Sequence, residues 1–274
     1  MFDWSLWLLA CAVVFLIGLS KGGFGGGLGA LAVPLLTLKI DPRLAAALLL
    51  PVLCLMDLVS VYAYRGKWDK TRVWLLVLPA LFGIIVGILC FELMSVRFIK
   101  LMIGSIALLF VLYQLWGKAV AEARAYQAVK RKNSELSPCK DSEDREVDLA
   151  CGGVNPLSAI FWGGLSGFSS YVAHAGGPPA SIYLLGQHLD KTRFVATTVL
   201  TFTIINLVKL VPYSITGLFD SRILLFSLTL LPVAPLGVLA GAYLHKRVST
   251  KIFYLVCYAL LFLAGVKLIW DSFI

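Results

Sequence analysis

Charged side chains make up 14% of these 274 residues, where an ordinary soluble domain carries about a quarter. With 59% hydrophobic residues and a mean hydropathy of +0.89, that scarcity excludes a soluble globular domain and makes lipid the solvent. The apolar runs have the right length. Val73 to Phe91 and Ile223 to Leu244 hold no charge, Leu44 to Tyr64 holds one, and Ile252 to Trp270 holds only Lys267. Each is about 20 residues, enough to cross roughly 30 Å of hydrocarbon. Trp68, Trp74, Trp116 and Trp270 fall near the run ends, where an interfacial belt belongs. Basic residues are missing before Lys21, so the first segment, opening with Phe2 and Asp3, is not expected to be a cleavable signal.

Cysteine chemistry has little support. Cys11, Cys54, Cys90 and Cys257 lie in apolar segments, where cysteine acts as a small hydrophobe. Cys139 and Cys151 stand twelve apart in a polar stretch without a nearby histidine, so neither a metal site nor a disulfide is expected there. The net charge of +9 does not by itself imply a nucleic-acid partner, and no cofactor is expected. An intramembrane enzyme is set aside: no nucleophile elbow and no His-Glu-x-x-His pair is recognised, and His174 has no obvious nucleophile partner.

A polar segment, Gly117 to Asn155, divides the chain into a first transmembrane repeat (1–117), a linker (118–155) and a second transmembrane repeat (156–274). The two apolar halves match in order. Gly18-Leu-Ser pairs with Gly164-Leu-Ser, Asp41-Pro-Arg43 with Asp190-Lys-Thr-Arg193, Asp57-Leu-Val with Asn206-Leu-Val, and Gly66 with Gly217. Gly83, Gly87 and Trp116 then correspond to Gly237, Gly241 and Trp270 at a constant offset of 154.

Trp4 to Leu38 would be roughly 52 Å long as one helix, too long for a single crossing. It and its counterpart Leu157 to Leu185 are expected to enter and return, as short full spans or as re-entrant hairpins. Three spans follow in each half, so the net number of crossings per half is odd and the second half is upside down. The expected fold is an all-α polytopic membrane protein of two inverted repeats, each a broken or re-entrant helix pair followed by three transmembrane helices. Loop charge agrees, since this layout places sixteen lysines and arginines on the linker face against five on the other (Lys39, Arg43, Arg97, Lys100, Arg222). The positive-inside rule then puts the linker in the cytoplasm and both termini outside.

Inverted repeats with broken helices characterise secondary transporters, with a site at the repeat interface near the midplane. The glycine-rich stretch "GLSKGGFGGGLG" would open the backbone to a small anion through Gly22, Gly23, Gly25, Gly26 and Gly27, with Lys21 adding a positive charge. In the second half Pro178 and Pro179 suit the first turn of a helix, and Ser169, Ser170, Tyr171, His174, Gly176 and Gly177 sit around the break before it. Asp57 and its partner Asn206 are candidates for coupling or charge balance. Plainer readings stay open: a small-residue packing face for the glycines, snorkelling for Lys21, neutralisation of Lys21 by Asp57. Lys209, near a helix end, is expected to snorkel outward.

"GLSKGGFGGGLGALAVPLL" and "GLSGFSSYVAHAGGPPASIYLL", within the duplicated layout, resemble the TauE/SafE family of sulfite and organosulfonate exporters. The resemblance covers both repeats and implies a multi-pass carrier for small sulfur-containing anions such as sulfite, sulfoacetate or thiosulfate in the cytoplasmic membrane. The linker with Cys139 and Cys151 is longer than the resemblance leads one to expect. The partners implied are a small anionic substrate, the bilayer and protons as coupling ion, with a homo-oligomer open. A passive anion channel and a membrane scaffold without transport remain alternatives.

Overall fold

The computed structural model describes residues 3–23, 29–113, 116, 156–187, 189–244 and 250–273. The linker with Cys139 and Cys151, the glycines Gly25, Gly26 and Gly27, and the side chain of Cys257 lie outside the described residues. Among the described residues the regular structure is helical throughout. The first half runs α1 (Trp4–Gly23), a 3-10 turn (Gly29–Leu31), α2 (Ala32–Thr37), α3 (Pro42–Ala63), α4 (Lys70–Leu93) and α5 (Val96–Tyr113). The second runs α6 (Pro156–Ala173), α7 (Gly177–Leu185), α8 (Lys191–Ile215), α9 (Ser221–Leu230), α10 (Val233–Leu244) and α11 (Thr250–Phe273).

Six of the described helical stretches are long and apolar enough to cross a membrane. Their burial is that of helices in lipid. On α4, Leu78, Phe82, Ile85 and Leu89 form an exposed stripe at helical spacing, while Val73, Leu76, Val77, Ala80 and Ile84 are buried. An outward face of large apolar residues is unfavourable in water and at home in hydrocarbon. The chain is a multi-pass membrane protein.

The two broken pairs resolve into a long and a short limb. At about 1.5 Å per residue, α1 is roughly 30 Å long and α6 roughly 27 Å, whereas α2 rises about 9 Å and α7 about 13 Å. Over the described residues, neither short limb is long enough to cross some 30 Å of hydrocarbon. One expected span is also divided. Ile223 to Leu244 forms α9 and α10, interrupted at Leu231 and Pro232, because a proline supplies no backbone N–H to the helix it would continue.

Matched residues do matched work. Asp41 caps α3 by accepting from Arg43 N at 2.8 Å, and Asp190 caps α8 by accepting from Thr192 N and Arg193 N at 3.0 Å. Gly66 and Gly217, just beyond those two helices, both have positive φ, 76° and 69°. Packing is reciprocal, with α1 against α10 and α4 against α6. A Cβ on Gly83 would lie 2.0 Å from Gly164 O, and one on Gly237 would lie 3.1 Å from Gly18 Cα. These glycines let the backbones of facing helices touch.

Candidate functional site

Helices α3 and α8 carry the centre of the site. Asp57 and Asn206 each lie fifteen residues past the first residue of their helix. They meet: Asn206 Nδ2 donates to Asp57 Oδ2 at 2.6 Å. The other carboxylate oxygen pairs with the Lys21 ammonium from the end of α1. Lys21 therefore neutralises Asp57 rather than snorkelling to an interface. Its side chain keeps 16% exposure against 3% for Asp57, so the ammonium retains access to open space with hydrogens to spare.

The expectation that Lys209 snorkels outward is overturned. Lys209 is completely buried. It donates to Ser170 O at 2.8 Å, to Ser170 Oγ at 3.0 Å and to His174 Nδ1 at 2.7 Å, which uses all three ammonium hydrogens. The reason lies in helical spacing. Phe202, Asn206, Lys209 and Tyr213 follow at +4, +3 and +4, one face of α8 turned toward the protein. Lys209 is also about 9 Å of helix rise from Ile215, a long reach for its stem.

His174 ends α6 in the left-handed region, φ 51°, a conformation that costs a residue with a Cβ about 1 kcal/mol or more. Its Nε2 bonds Ala46 O at 2.9 Å, and Nδ1 faces the Lys209 ammonium. This bonding pattern assigns the proton to Nε2 and leaves the ring neutral. Both nitrogens are engaged within the protein, so His174 offers no N–H to a ligand. It joins α3, α6 and α8 at the break.

A cavity of about 90 Å³ opens between these elements, room for a few waters or one small tetrahedral anion. Its polar lining includes Lys21, Asp57, Asn206, Ser170 and Ser181, and its apolar lining includes Leu53, Val199 and Phe202. Gly29 and Gly177, at the starts of the two short limbs, and His174 also line the cavity. Ser170 Oγ accepts from Lys209, and among the described residues its own hydrogen has no partner, so it can donate into the cavity.

Other expected site residues fall elsewhere. Ser169 donates to Leu165 O at 2.7 Å within its own helix. The Tyr171 ring packs edge-on between Phe91 and Tyr213, and its carbonyl accepts from Tyr213 OH at 2.8 Å. A Cβ on Gly176 would lie 2.6 Å from Ser166 O, so that glycine serves packing. None of the three lines the cavity. Gly22 and Gly23 are the last residues of α1. Pro178 and Pro179 do open α7, but they supply no N–H, which leaves the first turn poor in backbone donors.

Gly18-Leu-Ser-Lys-Gly22 does spell Gly-x-Ser-x-Gly, against the sequence reading. Ser20 is fully buried inside α1 rather than raised on a strand-to-helix turn, so the letters do not form a nucleophile elbow. Among the described residues no three His, Cys, Asp or Glu side chains converge on a metal position.

The sequence matches the family described as sulfite exporter TauE/SafE over residues 10–268. The chain belongs to that family. The match spans both halves and every residue of the cavity wall. At the family level this TauE/SafE protein is thus a membrane transporter of sulfur-containing anions. No curated protein and no solved structure matches the chain.

Proposed function

We propose that this TauE/SafE protein is a secondary transporter of small sulfur-containing anions across the cytoplasmic membrane, and that the cavity at Lys21, Asp57, Asn206 and Ser170 is its binding site. The observation that carries this reading is the convergence of both broken helix pairs on one small cavity with an ammonium at its wall. The paired caps of α3 and α8, the matched positive-φ glycines and the reciprocal glycine contacts support two structurally matched repeats, and an odd number of crossings in each would make them inverted. In that architecture one repeat rocks against the other around a fixed site.

Asp57 is the candidate coupling group. A dianion, which draws Lys21 away from Asp57, leaves a buried carboxylate without its cation, which is costly unless a proton arrives with it. Asn206, its partner in the other half, holds the same geometry without a charge.

Purified protein should melt at higher temperature in sulfite, thiosulfate or sulfoacetate than in chloride at equal ionic strength, because selective binding stabilises the native state. In proteoliposomes, a proton gradient should drive the same anion to concentrate. Absence of any sulfur-anion stabilisation would remove the cavity as a binding site, and flux that only equilibrates would make the protein a channel.

A further inference from the structure

With Lys209 protonated, the charges at the junction do not cancel. Lys21 and Asp57 neutralise one another, and His174 is neutral by its hydrogen bonds. Lys209, fully buried, has only neutral acceptors, and among the described residues no carboxylate pairs with it. Its hydrogen bonds are satisfied, but its charge is not. A lone ion is expensive to hold in a low-dielectric interior. Lys209 does not line the cavity, yet Ser170 does. Ser170 accepts from Lys209 and has its own hydrogen to give, so it passes the polarisation to whatever occupies the space.

Resting on the anion-transport reading, we infer that Lys209 is the charge-determining residue of the site, acting through Ser170, and that the cavity takes monoanions in preference to dianions of the same shape. With Lys209 protonated, the cluster of Lys21, Asp57 and Lys209 carries one net positive charge, and a monoanion brings it to neutrality. Hydrogen sulfite and simple alkylsulfonates fit this requirement. A dianion such as thiosulfate or sulfoacetate fits only when a proton on Asp57 removes one negative charge.

Methanesulfonate and sulfate are near-isosteres, a methyl group replacing one charged oxygen, so their affinity ratio reads charge rather than shape. The ratio is measured on the purified full-length protein by melting-temperature titration at fixed ionic strength. The parent should bind methanesulfonate more tightly than sulfate. Asp57→Asn raises the cluster charge by one and should move the ratio toward sulfate by about tenfold or more, the scale of one charged hydrogen bond. Lys209→Met should weaken methanesulfonate by about ten- to a hundredfold.

A folded Lys209→Met protein with parental methanesulfonate affinity would overturn the assignment of Lys209. Should that variant fail to fold, the Asp57→Asn ratio decides, and an unchanged ratio overturns the valence rule. A parent that binds sulfate as tightly as methanesulfonate overturns the rule while leaving anion transport standing. If the parent binds neither probe nor any sulfur anion, the transport reading falls and takes this inference with it.

Discussion

Lys21 and Lys209 are lysines drawn into the same junction with opposite electrostatic partners, one a carboxylate and the other only neutral groups. Removing Lys21 leaves Asp57 buried on its Asn206 hydrogen bond alone. Breaking a buried pair from one side typically costs roughly 3–5 kcal/mol. Because Lys21 keeps partial exposure, Lys21→Met should lie toward the lower end of that range. The double variant Lys21→Met/Asp57→Asn should recover most of the loss, since no unpaired charge remains. Denaturation of both variants in detergent checks this, and equal stability would mean that Asp57 does not depend on Lys21. Asp57 and Asn206 were legible in the sequence because a charge and an amide at equal depth in matched helices stand out against an apolar background. Lys209 is less legible, because its nearness to a helix end points outward while the face it shares with Asn206 and Tyr213 points inward.

The corner between α6 and α7 sets the shape of the cavity. Ser166 Oγ donates to Gly176 O at 2.8 Å, Ala175 N donates to Ser169 O at 3.1 Å, and His174 turns the chain with its positive φ. Two adjacent glycines there have different duties. A Cβ on Gly176 would meet Ser166 O at 2.6 Å and the Phe202 ring at 2.8 Å, whereas one on Gly177 would meet nothing within 4 Å. Gly176→Ala should therefore destabilise the protein by about the 1–3 kcal/mol of an overpacked site. Gly177→Ala should fold normally and narrow the cavity, so its sulfite-induced melting shift should shrink. A normal shift in Gly177→Ala would place the anion elsewhere. The start of α7 could be read from Pro178 and Pro179, because proline is tolerated in a first turn. The direction of each neighbouring side chain could not, since it depends on a left-handed histidine that no local preference announces.

Across the whole molecule, an ordered series of matches between the halves was readable in the sequence, and the structure gives those matches physical duties as caps, turns and helix contacts. The glycine contacts were not readable as pairs, because Gly18 meets Gly237 and Gly83 meets Gly164, each glycine facing the other half rather than its own counterpart. Reciprocal contact across the halves is what a twofold-related pair of repeats produces, and the number of crossings in each decides whether the pair is inverted. If each broken pair returns the chain to the face it entered from, each half crosses an odd net number of times and the linker lies on the face opposite the two termini. Sixteen of the lysines and arginines then gather on the linker side, which the positive-inside rule assigns to the cytoplasm. A membrane-impermeant thiol reagent applied to intact cells should therefore miss Cys139 and Cys151 and reach them only after the membrane is opened. Cysteines introduced as Asp3→Cys and Ser272→Cys, in a background lacking the native ones, should label from outside without permeabilisation. Linker labelling in intact cells with both termini protected would reverse the orientation, and labelling of the linker from the same side as the termini would refute the inverted arrangement, because an even number of crossings per half returns the chain to its starting face and cannot turn the second repeat over.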